Sequence, residues 1–248
     1  MKEPVFTTKF LSLLKRAERV MISTGAGIST ESGIPAFRGT DGLWETFKPE
    51  ELATPDAFRR DPAKVWQWYD WRRQMLSKVS PNPGHYALVE LEAMVPKFFL
   101  FTQNIDGLHQ RAGSKTVYEL HGNIWRVQCL KEKKTYESLE IPFGEIPPRC
   151  ECGSMVRPDV VWFGEALPQE ILSSAWQIAS NCDFFFLIGS SATVEPAASL
   201  AWLARDRGAV VVEINEEITP ATEIANECFL GKSGTLLPQL VDALKKHD

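Results

Sequence analysis

The chain predicts an α/β fold: a doubly wound, Rossmann-like parallel sheet with a second, smaller lobe formed by a helical insert and a Cys-containing insert. Three observations carry this. Apolar runs recur along the chain, helix-prone segments separate them, and each run ends in a polar or glycine-containing cluster. Runs without polar alternation suit strands buried on both faces of a parallel sheet. Strands alternating with helices then give the doubly wound arrangement.

A helix expected over Lys9 to Glu18 leads into a first strand, Val20-Met21-Ile22, which ends in Ser23-Thr24-Gly25. The segment from Thr24 to Gly39 reads as a glycine-rich turn opening a helix, where backbone N–H groups can approach a pyrophosphate. Gly25 and Gly27 match the first two glycines of the dinucleotide fingerprint, and Thr30 stands at the third. A ligand-free turn is the competing reading. Helices are expected at Pro62 to Lys78 and Pro83 to Met94, each opened by proline. Phe98-Phe99-Leu100-Phe101 is a strand running into Thr102-Gln103-Asn104. Helix Pro168 to Ser180 precedes strand Phe184 to Ile188, which ends in Gly189-Ser190-Ser191. Helix Glu195 to Arg207, strand Val210 to Ile214 ending in Asn215, and helix Leu236 to Lys246 complete the pattern. The expected large lobe covers about 1–39, 81–122 and 159–248, and the inserts at about 40–80 and 123–158 form the small lobe of one domain. Ligands of such sheets lie outside the carboxyl ends of the strands, where the polar clusters accumulate.

A net charge of -5 gives no electrostatic reason to bind nucleic acid or an anionic membrane. No apolar stretch approaches the ~20 residues that span a bilayer. Five cysteines suit a reducing compartment, and the expected location is the cytoplasm. An ordinary dehydrogenase would place an acidic ribose ligand at the end of a second strand about 20 residues after the glycines. Here that region, Asp41 to Phe47, does not read as a buried strand, which disfavours hydride transfer.

Read in order, Gly25 to Gly39, Thr102-Gln103-Asn104-Ile105-Asp106-Gly107-Leu108-His109, Leu120-His121-Gly122, Arg157 to Glu165, Gly189-Ser190-Ser191 and Asn215 resemble the sirtuin family of NAD-dependent protein-lysine deacylases. The resemblance spans nearly the whole chain. It implies NAD as co-substrate, acylated lysine side chains of proteins as partners, and transfer of the acyl group to ADP-ribose with release of nicotinamide. It makes His121 the base for a ribose hydroxyl, with Asn104 and Asp106 positioning the ribose and the nicotinamide. It places Gly25, Ala26, Gly27, Ser29, Ile34, Pro35, Trp44, Gln103, Ile105, Gly189, Ser190 and Ser191 along the dinucleotide, with Phe37 and Arg38 on a mobile flap. Asn215, Glu216 and Glu217 would serve the adenosine ribose, and Ser233 would lie by the adenine. Val160, Val161, Trp162, Phe163 and Gly164 would pair with the substrate peptide as an added strand. Mono-ADP-ribosyl transfer and a non-catalytic NAD-responsive module are the alternatives, and the oligomeric state stays open.

Tyr69 and Arg72 share one helical face, and a phenol beside a guanidinium suits a carboxylate. The pair resembles that of the sirtuin subgroup that removes succinyl and malonyl groups, in which a small residue, here Ala53, widens the acyl pocket. An amphipathic helix with packed aromatics and solvated arginines is the plain alternative. The family's structural zinc normally uses two Cys-x-x-Cys pairs. This chain has Glu132 where the second cysteine would stand, and Cys150 and Cys152 are separated by one residue. With Cys129, these could supply three thiolates and a carboxylate. The tight bite and the missing thiolate set the expectation against zinc.

Overall fold

The structure, a computed structural model, describes residues 5–36 and 43–247, without the side chains of Trp44 and Glu45. A six-stranded parallel sheet forms its centre, in the order β3-β2-β1-β7-β8-β9. These strands are β1 (Arg19–Thr24), β2 (Lys97–Thr102), β3 (Val117–Glu119), β7 (Phe184–Ile188), β8 (Val210–Asn215) and β9 (Glu227–Leu230). From β1 the chain builds outward through β2 to β3, then returns to add β7, β8 and β9 on the other side. The order therefore reverses between β1 and β7, whose register pairs Thr24 with Ile188. A crevice opens at such a reversal, outside the carboxyl ends.

Both faces of the sheet are buried, as the unbroken apolar runs require. Val20, Ile22, Phe184, Phe186, Val212 and Ile214 pack on one side with Phe10, Leu88, Leu91, Leu237 and Leu240. Those partners come from α1 (Thr8–Lys15), α6 (Pro83–Met94) and α10 (Ser233–Lys246). The alternate residues Met21, Phe101, Phe185, Leu187 and Val211 pack on the other with Ala175, Ala179, Leu200 and Ala204, from α8 (Gln169–Ala179) and α9 (Ser199–Asp206). The short helix α7 (Leu108–Ala112) follows the loop after β2.

The small lobe joins four helices to a three-stranded antiparallel sheet. The helices are α2 (Leu43–Thr46), α3 (Pro49–Leu52), α4 (Pro55–Arg60) and α5 (Pro62–Leu76); the sheet is β5 (Thr135–Glu137), β4 (Gly122–Cys129) and β6 (Val156–Val160). Proline opens three of these helices, and Thr54 and Asp61 cap the backbone N–H groups of Ala57 and Lys64, each at 3.0 Å. The lobe has its own core around Trp66, Trp68, Tyr69, Ile124, Val127 and Trp162. β6 spans the boundary expected between residues 158 and 159.

Three details differ from the sequence expectations. The glycine-rich turn continues as a 3-10 helix, Ala26–Ser32, rather than an α-helix. The helix expected from Glu195 starts at Ser199, whose N–H and hydroxyl are held by the Glu195 carboxylate at 3.3 and 2.6 Å. The edge strands β3 and β9 carry no long apolar run, because each is only partly covered. Among the described residues, no helix is long and apolar enough to cross a membrane.

Candidate active site

The crevice is assembled by loops that follow the strands. Gly25 donates its N–H to Ile188 O at 3.0 Å and Gly27 donates to Gly189 O at 2.8 Å, so the turn after β1 lies against the turn after β7. A Cβ on Gly25 would stand 2.7 Å from Gly189 O, and one on Gly27 2.7 Å from Gly189 Cα. These glycines are thus required by backbone packing before any ligand enters. Gln103 Nε2 donates to Ser190 Oγ at 3.2 Å, and Asn215 Nδ2 to Ser190 O at 2.8 Å, tying three loops together. Asn215 Oδ1 accepts from Glu216 N at 3.0 Å, so this amide is spent on shaping the wall. Glu216 and Glu217 are exposed beside it, and Ser233 is buried at the start of α10.

His121 follows β3, and its Nδ1 lies 2.9 Å from Gln103 O. A carbonyl only accepts, so Nδ1 carries the proton and Nε2 presents a bare lone pair. Burial pushes the imidazole pKa below its ordinary value, opposed by the bond to Gln103. The ring is therefore neutral at pH 7, as a base must be.

Asn104 and Asp106 belong to one buried network. Ser29 Oγ donates to Asp106 Oδ2 at 2.8 Å, and Leu108 N donates to Asp106 Oδ1 at 2.9 Å. Asn104 Nδ2 donates to Gly25 O at 3.0 Å and to Ser29 Oγ at 3.2 Å. Burial raises the Asp106 pKa, against those hydrogen bonds. Ala26, Ser29, Ile34, Pro35, Arg72, Asn104, Ile105 and Asp106 line one narrow pocket. Seven of these eight are residues that the sequence placed at the dinucleotide. The eighth, Arg72, comes from the acyl group's expected neighbours.

Two buried histidines lie behind this network and were missed in the sequence. His85 Nδ1 accepts from Asn82 N at 3.3 Å, which leaves Nε2–H pointing to Ser29 Oγ at 3.5 Å. Burial holds its pKa at about 4. His109 Nε2 lies 3.0 Å from Thr24 Oγ1, and the two imidazoles lie against each other with centroids 4.9 Å apart and planes tilted by 55°. The available signal was scarcity: the chain has four histidines, and three of them, His85, His109 and His121, gather here.

On the small-lobe side, Tyr69 and Arg72 are 3% and 2% exposed, so these α5 side chains are not the solvated residues of a plain amphipathic helix. Burial lowers the Arg72 pKa to about 10, with Asp106 and Tyr69 favouring the charged form; it remains a cation at pH 7. Tyr69 Oη accepts from Trp162 Nε1 at 2.9 Å. The segment Val160 to Gly164 spans the lobes, with Val161 N donating to His121 O and Phe163 N to Ala53 O, both at 2.9 Å. Phe37 and Arg38, and the Trp44 side chain, lie outside the described residues.

The cysteine cluster brings together the four donors named in the sequence. One donor atom each from Cys129, Glu132, Cys150 and Cys152 lies within 4.8 Å of all the others, and Cys129 Sγ is 3.6 Å from Cys152 Sγ. Zinc with bonds near 2.3 Å sets tetrahedral thiolates roughly 3.8 Å apart. The donors thus fit that ion, and the one-residue spacing of Cys150 and Cys152 is no obstacle to convergence.

A doubly wound sheet whose reversal point carries a glycine-rich turn, a neutral histidine and a buried Asn–Ser–Asp network defines a dinucleotide-using α/β protein. The Sir2 family model matches residues 25–196. A curated relative from Aquifex aeolicus, named NAD-dependent protein deacylase, is 53% identical over 228 residues, 92% of this chain and 95% of its own. One of the same name from Pyrococcus furiosus is 47% identical over 94% of this chain and 96% of its own. A solved Sir2 homologue in complex with NAD superposes with a TM-score of 0.91 at 43% identity, covering 97% of this chain and 94% of the other. The chain belongs to the Sir2 family.

Proposed function

We propose that this chain is an NAD-dependent protein-lysine deacylase that accepts acyl groups ending in a carboxylate, succinyl and malonyl, as well as acetyl. Its relatives carry the name NAD-dependent protein deacylase, and solved relatives hold 2'-O-acetyl ADP-ribose or a myristoylated histone peptide. In this reading the nicotinamide–ribose bond of NAD breaks and nicotinamide leaves, and the acyl-lysine carbonyl oxygen bonds to the exposed anomeric carbon. Addition of one water with cleavage of the amide C–N bond then frees the lysine amine and leaves the acyl group on the ribose. No protein nucleophile is needed. His121 Nε2 takes the proton of a ribose hydroxyl. Asn104 and Asp106, held by Ser29, hold the ribose and the nicotinamide amide. The peptide pairs with Val160 to Gly164 as an added strand, and zinc on Cys129, Glu132, Cys150 and Cys152 braces the small lobe. Five cysteines, none of them in a disulfide, suit the reducing cytoplasm.

The acyl preference rests on one observation: a buried, charged Arg72 beside a buried Tyr69, at the edge of the pocket lined by Asn104 and Asp106. A guanidinium without water around it binds a carboxylate far more strongly than it would at the surface. The test compares succinyl- and acetyl-lysine forms of one peptide. Arg72→Met should cut kcat/KM for the succinyl peptide about a hundredfold more than for the acetyl peptide. Equal losses would remove the carboxylate role. Mass spectrometry should find acyl-ADP-ribose and free lysine; an ADP-ribosylated protein would instead indicate ADP-ribosyl transfer.

A further inference from the structure

Trp162 sits in the segment proposed to pair with the peptide, yet its own side chain turns inward and is 3% exposed. It is held from three sides. Arg157 Cζ lies 3.7 Å from the centre of the Trp162 ring, and Phe58 packs against it with centroids 5.1 Å apart. Arg157 is fixed in turn by a two-pronged pair with Glu165 at 2.6 and 2.8 Å, and the same carboxylate accepts Trp162 N at 2.9 Å. The indole is therefore clamped, and its Nε1–H reaches Tyr69 Oη at 2.9 Å.

An indole N–H can only donate. Tyr69 Oη is thus the acceptor in this bond, and its own hydrogen must point elsewhere. Burial pushes the phenol pKa up, so that hydrogen is retained. Without the indole, the phenol could turn and act as acceptor or donor toward a ligand. With it, donation is the open role. Toward a carboxylate, which only accepts, that polarity is the favourable one.

We propose that Trp162 is a positioning residue for acyl selectivity, orienting the Tyr69 hydroxyl as a donor toward a carboxylate at the end of the acyl chain. This rests on the carboxylate-accepting role given to Tyr69 and Arg72. The clamp on Trp162 adds to the selectivity supplied by Arg72 and Tyr69, acting through the phenol and making no polar contact of its own with the acyl group.

The experiment is a double-mutant cycle read as the ratio of succinyl to acetyl kcat/KM on one peptide. Trp162→Phe keeps a ring packed against Phe58 and Arg157 and deletes the N–H. It should lower the ratio roughly tenfold. In a Tyr69→Phe background the same change should lower it no further. Trp162→His places Nε2 at the position on the five-membered ring that indole Nε1 occupies, and should recover part of the ratio. Thermal unfolding of each variant separates misfolding from altered selectivity. An unchanged ratio in Trp162→Phe overturns the proposal, as does an equal drop with and without the phenol. If Tyr69→Phe and Arg72→Met both leave the ratio unchanged, the carboxylate reading itself has failed and Trp162 loses this role with it. If those two lower the ratio and Trp162→Phe does not, only the orienting role is lost.

Discussion

The large lobe brings short polar side chains to the crevice on turns, whereas the small lobe brings a single long cationic one, Arg72, from a helix. Asn104, Ser29 and Asp106 are held by one another and by backbone groups within a few residues of a strand end. Their geometry is therefore set by the sheet, and little rotamer freedom remains to be lost when a ligand arrives. Arg72 and Arg73 instead remove charge from water, which is costly unless it is matched. Arg73 is matched by carbonyls: it donates to Ile124 O at 2.6 Å and to Ser138 O and Glu140 O, and it lies over the rings of Trp125 and Phe143. Arg72 faces the pocket with Asp106. Adjacent residues of one type thus divide the work, Arg73 joining α5 to the small-lobe sheet and Arg72 lining the pocket.

Chemistry should fail hardest when the proposed base of the large lobe is removed. His121→Ala is expected to lower kcat about a thousandfold, with thermal stability nearly unchanged because one Nδ1–H bond is lost at a half-buried position. The pH profile sharpens this. Burial lowers the His121 pKa, so the active neutral form persists below the ordinary value near 6.5. Activity should hold as pH falls from 8 toward 6.5 and decline only below that. A decline centred above 7, or full turnover by the alanine variant, would break the assignment of the base to this lobe.

How far each lobe could be read in the sequence follows from the same difference. Turn residues after a buried strand are local signals: Gly25, Asn104, Asp106 and Gly189 could be placed because each closely follows an apolar run, whereas His121 was legible only through the resemblance carried by Leu120-His121-Gly122. The network behind them could not. His85 reaches Ser29 from a helix 56 residues away, and nothing in Pro83-Gly84-His85 marks that contact. In the small lobe, the spacing of Tyr69 and Arg72 predicted a shared face but not its burial. The identical residue type at Arg73 gave no hint that it would cap three carbonyls. The convergence of the cysteine cluster was not legible for a similar reason, because spacing along the chain says little about how two turns meet in space.

The next largest effect should separate the two arginines. Arg73→Met removes the guanidinium that donates to the buried Ile124 carbonyl and the partly buried Ser138 and Glu140 carbonyls, and should cost about 3 kcal/mol, or roughly 6–12 °C in Tm. Its ratio of succinyl to acetyl activity should stay that of the parent at temperatures where it is folded. If Arg73→Met shifted that ratio as Arg72→Met is expected to, the division of labour along α5 would be wrong.

The smallest effect concerns the brace at the far end of the small lobe. Glu132 is the weak member of the cluster: it is exposed, its Oε2 is 4.0 Å from Cys150 Sγ, and a carboxylate binds zinc less tenaciously than a thiolate. Its backbone serves the site as well, since Glu132 N donates to Cys129 Sγ at 3.4 Å and favours the thiolate that a metal needs. Glu132→Ala keeps that N–H and deletes only the carboxylate. Metal analysis should then find less than stoichiometric zinc, with Tm lower by a few degrees and kcat within about twofold of the parent. Glu132→Cys should retain zinc longer against a chelator than the parent does. Retention of full zinc by the alanine variant would mean the carboxylate is no ligand. A turnover that fell in step with zinc loss would mean the brace and the crevice are coupled, and that the small lobe acts as one body from its cysteines to Arg72.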